Sequence, residues 1–156
     1  MPATKFIDYL ESQGVAYTRI RHPKAYTAQE IAAVAHVPGD QLAKTVMVKI
    51  DGKLAMAVVP ASFRVNLDRL KAHTGAGHVE LASESDYRER FPDCEVGAMP
   101  PFGNLYGVPV YAAKNLAEEM EIAFCGGAHG ELVRIAFEDF NRLVQPEVLD
   151  FAWRVS

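Results

Sequence analysis

Cysteine is scarce in this chain: only Cys94 and Cys125 occur, far apart and without metal-ligand spacing. That argues against a disulfide framework and a zinc site, and it suits a reducing compartment. No apolar run reaches membrane-spanning length. The longest, around Leu54 to Val59, is strand-sized, and Met1-Pro2-Ala3-Thr4-Lys5 lacks the charged-then-apolar layout of a signal peptide. The expectation is a cytoplasmic protein with no membrane partner. Basic charge is not in excess either, since 16 Lys and Arg against 20 Asp and Glu leave a net charge of −4. Sequence-independent coating of nucleic acid needs massed cations, so any nucleic acid bound here is gripped locally.

The common catalytic signatures are missing as well. There is no phosphate-binding Gly-x-x-x-x-Gly-Lys-Ser/Thr, no dinucleotide Gly-x-Gly-x-x-Gly after a strand, no His-Glu-x-x-His and no Gly-x-Ser-x-Gly. The five histidines, His22, His36, His73, His78 and His129, show no i, i+4 pairing of the kind a helical metal site uses. Neither a metal nor another cofactor is expected. No internal repeat or low-complexity segment is visible.

What is present reads as a single domain over residues 1–156, with 49% hydrophobic residues. A first helix carries Phe6, Ile7 and Leu10 and ends at Gly14, and Val15 to Ile20 reads as a strand. Thr27 and Glu30 form a capping box that opens a helix to about His36. Ala43 to Ile50 alternates as a strand, Asp51-Gly52 is a hairpin turn, and Leu54 to Val59, apolar on both faces, is a central strand that stops at Pro60. A helix capped by Asn66 runs to His73, His78 to Ala82 is a strand, and Ser83 caps a short helix to about Arg90. Strands at Val108 to Ala112, Met120 to Phe124 and Leu132 to Ala136, with a helix at Glu138 to Val144, complete the reading. Hairpins lie between helices without regular βα alternation, which predicts a mixed α/β fold: a curled, barrel-like, largely antiparallel sheet flanked by helices.

Three stretches could carry chemistry. Gly97-Ala98-Met99-Pro100-Pro101-Phe102-Gly103 is stiff and irregular, either a pocket wall or a rigid surface turn. Gly126-Gly127-Ala128-His129-Gly130 could converge backbone N–H groups on an oxygen, or could simply turn the chain between strands. Lys44 starts an apolar strand, which lays its stem along the sheet and its ammonium at one end; most such lysines are merely solvated. Cys125 beside His129 admits a thiol nucleophile, although a cysteine ending an apolar strand is more often a small buried hydrophobe.

Taken in order, Lys44-Thr45-Val46, the Gly97 to Gly103 loop and Gly126-Gly127-Ala128-His129 before Leu132-Val133-Arg134-Ile135 resemble the YbaK/prolyl-tRNA synthetase editing-domain family, from His22-Pro23 to Pro146. Its members are aminoacyl-tRNA deacylases, free-standing or inserted in prolyl-tRNA synthetase. The resemblance implies hydrolysis without a metal or a covalent enzyme intermediate. It also implies catalytic positions at Lys44, Gly126, Gly127 and His129. Substrate contacts are implied at Thr45, Gly97, Met99, Pro100, Pro101, Phe102 and Gly103, and more loosely at Tyr26 and Thr27. Many members carry Ala-Gly-Ser-His in the second loop, whereas Ala128 here lacks the hydroxyl.

The resemblance predicts a free-standing trans-editing enzyme acting on mischarged tRNA, with tRNA(Pro) bearing Ala, Cys or Ser as the expected substrate. An activated ester needs only positioning against amide donors, with water, a substrate hydroxyl or a substrate side chain attacking, which explains why no triad is visible. The 3′ end would be gripped by Lys44, with Arg19, Arg21 and Lys24 as further candidates. The alternatives are a non-catalytic module that binds aminoacyl-tRNA or a synthetase, and a thiol hydrolase using Cys125. Whether a prolyl-tRNA synthetase delivers the substrate stays open.

Overall fold

The computed structural model describes residues 4–154 apart from Lys24 and Tyr26. In chain order these form α1 (Thr4–Ser12), β1 (Thr18–Arg21), α2 (Ala28–Ala35), β2 (Ala43–Ile50), β3 (Lys53–Pro60), β4 (Phe63–Val65), α3 (Leu67–Thr74), β5 (Val79–Leu81) and α4 (Glu84–Tyr87). There follow β6 (Val110–Ala113), β7 (Glu121–Cys125), β8 (Glu131–Ala136), α5 (Phe137–Val144), β9 (Glu147–Leu149) and β10 (Ala152–Arg154).

Local chemistry sets most of these boundaries. The Thr27 hydroxyl accepts from the Glu30 amide at 3.1 Å, and the Glu30 carboxylate accepts from the Thr27 amide at 3.2 Å, so two amides at the start of α2 are satisfied reciprocally. Asn66 caps α3 by accepting from the Arg69 amide. Asp51 and Gly52 both have positive φ, 50° and 81°, as the tightest hairpin turn requires, and Ile50 pairs directly with Lys53. The Asp51 carboxylate also accepts from the amides of Gly77 and His78 at 3.0 and 2.9 Å, which fixes the entry to β5.

The strands make three hydrogen-bonded sheets, ordered β5-β2-β3-β6-β9, β1-β8-β7 and β10-β4. Every pair is antiparallel except β3 with β6 and β6 with β9. The fold is thus mixed α/β and largely antiparallel, with its strands in three hydrogen-bonded sheets. A parallel bridge from Leu42 to Ala123, with the Ala123 amide donating to Gln41 at 2.9 Å, ties the start of β2 to β7. β3 is the central strand: Ala55 through Pro60 are all buried. Pro60 is its last residue, opposite Ala43, a position where a missing N–H costs little.

One face of the five-stranded sheet carries Met47, Met56, Val58 and Ala112 and packs with Phe6, Phe102, Phe124 and Phe140. The other carries Val48, Ala55, Ala57 and Val59 and packs with Leu70 of α3 and with Phe151. Ile31 of α2 joins Leu42, Ala123 and Leu132 in a third cluster. Among the described residues no helix is long and apolar enough to cross a membrane.

Candidate functional site

Where β2 begins, that strand, α2, the end of β7 and the loop at Gly97 to Met99 leave a cavity of about 130 Å³. Ala28 and Ile31, one turn apart on α2, form one wall. Leu42 and Ala43 form its floor, Lys44 and Thr45 follow along the strand, and Met99, Gly97 and Cys125 close the remaining side. Among the described residues the lining is mostly aliphatic, with one ammonium.

Lys44 is half-buried, and its pKa lies below the ordinary lysine value, chiefly because burial disfavours the charged form and secondly because the Arg64 guanidinium is near. No carboxylate pairs with it among the described residues. A desolvated cation in that situation is poised for an incoming anion.

The two glycine loops are stitched into one unit. The Glu95 amide donates to the Gly127 carbonyl at 2.8 Å, and the Gly127 amide donates to the Ala98 carbonyl at 2.8 Å. The His129 amide donates to the Glu95 carboxylate at 2.9 Å, and its ring Nε2 bonds the Val96 carbonyl at 2.8 Å. A carbonyl can only accept, so Nε2 carries the proton. This bond fixes the plane of the Val96–Gly97 peptide, and the Gly97 N–H, which points the opposite way from the Val96 carbonyl within that plane, has no acceptor among the described residues. Gly97 has φ 84°, a conformation that favours glycine.

These contacts redistribute the residues singled out from sequence. Gly97, Met99, Lys44 and Thr45 line the cavity, and the Thr45 hydroxyl donates to the Met99 carbonyl at 3.3 Å. Pro100 and Pro101 are buried and lie outside the lining. Phe102 is wholly buried, its ring 4.9 Å from Phe6 and 5.7 Å from both Phe124 and Phe140. Gly103 is pressed so closely that a Cβ would lie 2.2 Å from the Val108 carbonyl oxygen. The second half of the loop is therefore an anchor in the core.

Gly126 packs against Val133 and Phe6, and the amides of Gly127 and His129 are spent on the stitch, so the expected amide nest is partly used up by the protein itself. Thr27 caps α2, and its neighbour Ala28 reaches the cavity. Tyr26 lies outside the described residues, as does Lys24. Arg19 is paired with Glu131, which neutralises it as a phosphate grip. Sequence reasoning did not single out Ala28, Ile31, Leu42 or Arg64, whose roles arise only from the packing of separate elements.

Cys125 is a poor nucleophile: burial, with the nearby Glu95 charge, pushes its thiol up to about 11. No cluster of three or more His, Cys, Asp or Glu suited to a metal occurs among the described residues.

The family model for the aminoacyl-tRNA editing domain matches residues 22–143. The chain belongs to the aminoacyl-tRNA editing domain family. Within it, the chain is 26% identical over 152 residues to the Escherichia coli multifunctional Ser/Thr-tRNA deacylase ProXp-y, covering 94% of this chain and 90% of that protein. It is 39% identical over 69 residues to a proline–tRNA ligase of Staphylococcus saprophyticus, 44% of this chain and 12% of the ligase. A Bacillus cereus proline–tRNA ligase is 29% identical over 117 residues, 75% of this chain and 20% of the ligase. The chain thus spans a fifth or less of those ligases. A solved structure described as a candidate trans-editing enzyme for prolyl-tRNA synthetase shares the fold, with a TM-score of 0.83, 21% identity and coverage of 99% of this chain and 97% of that one.

Proposed function

We propose that residues 1–156 act as one free-standing deacylase that hydrolyses the ester of mischarged tRNA, with tRNA(Pro) carrying Ala, Cys or Ser as the expected substrate class. The observation that carries this reading is the pairing of a small aliphatic cavity with an unneutralised, half-buried Lys44 at its edge. Family membership and the similarity to a Ser/Thr-tRNA deacylase support the reaction class.

In this reading Lys44 holds a phosphate or the ribose of the terminal adenosine and so sets the ester over the cavity. The amino-acid side chain enters between Ile31, Leu42 and Met99, and these walls, with buried Pro100 and Pro101 behind the loop, limit its size. Such a size screen is needed because synthetic pockets separate side chains differing by a methylene by only about 1–3 kcal/mol. The Gly97 amide serves as donor to the ester carbonyl oxygen as charge develops there. His129 acts through the Val96–Gly97 peptide, holding that amide in place. The attacking oxygen, from water in the simplest case, adds to the carbonyl carbon; the bond to the ribose oxygen then breaks, and that oxygen takes up the proton. Free amino acid and uncharged tRNA leave.

The test is a deacylation assay of the purified protein against Ala-, Cys-, Ser- and Thr-charged tRNAs. Hydrolysis of at least one small-side-chain ester well above the spontaneous rate is expected. Charged tRNA bound without turnover of any ester would overturn the catalytic reading in favour of a binding module. Because its thiol stays protonated near neutral pH, Cys125→Ala is expected to keep the rate within about twofold; loss of activity in that variant, with its fold intact, would restore the thiol-hydrolase reading.

A further inference from the structure

We propose that Arg64 and Trp153 form a second contact surface beside the pocket, which takes the unpaired nucleotides preceding the terminal adenosine: a base stacks on the indole while the guanidinium meets a backbone phosphate. This rests on the editing reading for the identity of the strand.

β4 and β10 pair antiparallel, with Arg64 directly opposite Trp153. Directly opposed residues leave the same face of a sheet. Their neighbours face the other way: Phe63 and Ala152 are buried, and Val65 packs on the same cluster. Trp153 is 56% exposed and makes no ring contact among the described residues. An exposed indole with one open face suits a base better than a packed core does.

The charge pattern points to the same occupant. Arg154 is engaged by Asp40 at 3.4 Å and lies over the Phe63 ring at 4.7 Å. Asp40 itself also accepts from the Ser62 hydroxyl. Arg69 is paired with Asp150 at 3.2 Å. Arg64 has no carboxylate partner among the described residues, yet it is close enough for its charge to bear on Lys44. Two cations therefore share one region without an intervening anion, in a chain whose net charge is −4. That repulsion is relieved when a polyanion lies across both, and a cation beside an aromatic face is the usual composition of a single-strand binding surface.

Trp153 is the only tryptophan in the chain, so its fluorescence reports this surface directly. Titration with a short single-stranded oligoribonucleotide ending in CCA is expected to quench it saturably. Arg64→Ala is expected to weaken that binding about tenfold and to reduce the slope of log affinity against log salt by about one. Trp153→Ala is expected to weaken it about tenfold, followed by anisotropy of a labelled oligonucleotide, with Trp153→Phe largely rescuing it. Toward mischarged tRNA both alanine variants should raise KM with kcat nearly unchanged, while a 3′-aminoacyl-adenosine, which lacks the preceding nucleotides, should be hydrolysed at the wild-type rate. Absence of quenching together with unchanged KM in an active enzyme overturns the proposal, as does an equal loss toward aminoacyl-adenosine. If the oligonucleotide binds through Trp153 but no ester is hydrolysed, the surface stands and the editing reading fails.

Discussion

Lys44→Ala is expected to lower kcat/KM for a mischarged tRNA by at least about 100-fold, roughly 2.7 kcal/mol of transition-state stabilisation. The reason is positional. Lys44 is the only cation in the cavity lining among the described residues, and an ester held an ångström out of place against its donor loses about that factor. Lys44→Arg should recover part of the loss, because the charge returns on a planar fork of different reach. The parent's kcat/KM should also fall on the alkaline side with an apparent pKa below that of an ordinary lysine, since burial and Arg64 both favour the neutral amine.

The stability effect has the opposite sense. A lysine whose folded pKa is depressed destabilises the fold while it is protonated, below the folded value, and that cost disappears as pH rises through the unfolded value. Lys44→Ala is therefore expected to unfold at or above the parent temperature at neutral pH. A variant that lost activity by unfolding would show the reverse, and wild-type kcat/KM in a folded Lys44→Ala would remove the lysine from the reaction.

Gly103→Ala is expected to be strongly destabilising. The added carbon would stand 2.2 Å from the Val108 carbonyl oxygen and 2.8 Å from Val110 Cγ2. The first is a backbone atom at the entrance to β6 and cannot turn aside. Overpacking of this kind costs about 3 kcal/mol or more, which lowers Tm by roughly 6–12 °C in a chain of this size. Gly107→Ala is the control: its φ of 69° disfavours alanine, but nothing lies within 4 Å, so a loss of only about 1–2 kcal/mol is expected. Thermal unfolding of the pair separates a clash from a conformational preference, and equal Tm values would show that the β6 entrance yields.

Much of the fold was legible because its signals are local. The Thr27–Glu30 capping box, the Asp51-Gly52 turn and the two-faced apolar run of β3 each depend on residues within a few positions, and each stands where the spacing put it. Of the three-residue strands, β5 is legible at His78 to Ala82 between the glycines and the Ser83 cap, whereas β4, β9 and β10 have no such flanking signals and pair with partners far away in the chain.

At the site, Gly97, Met99, Lys44 and Thr45 converge on one cavity, as the motif order suggested. Pro100 to Gly103 read as pocket wall or as rigid surface turn, because prolines and glycines mark special backbone, but composition does not say whether such a backbone faces solvent or core. The side of the cavity formed by Ala28, Ile31 and Leu42 was invisible in the sequence because nothing distinguishes these residues from ordinary core until α2 is laid against β2.

Residues 147–154 bear on how the protein is made. β9 supplies the outer strand beside β6, β10 supplies the strand that pairs with β4, and between them Phe151 is fully buried with its carbonyl taken by the Asn66 amide at 2.7 Å. None of these bonds can form while that segment is still inside the ribosome, so during synthesis β6 and β4 wait with open edges and the Leu70 cluster lacks its Phe151 cover. Unpaired edges of this kind are templates for aggregation. Folding is therefore committed late, by a segment that reaches back across some ninety residues from β10 to β4, and in the crowded cell the interval before it arrives is when the chain depends most on being shielded.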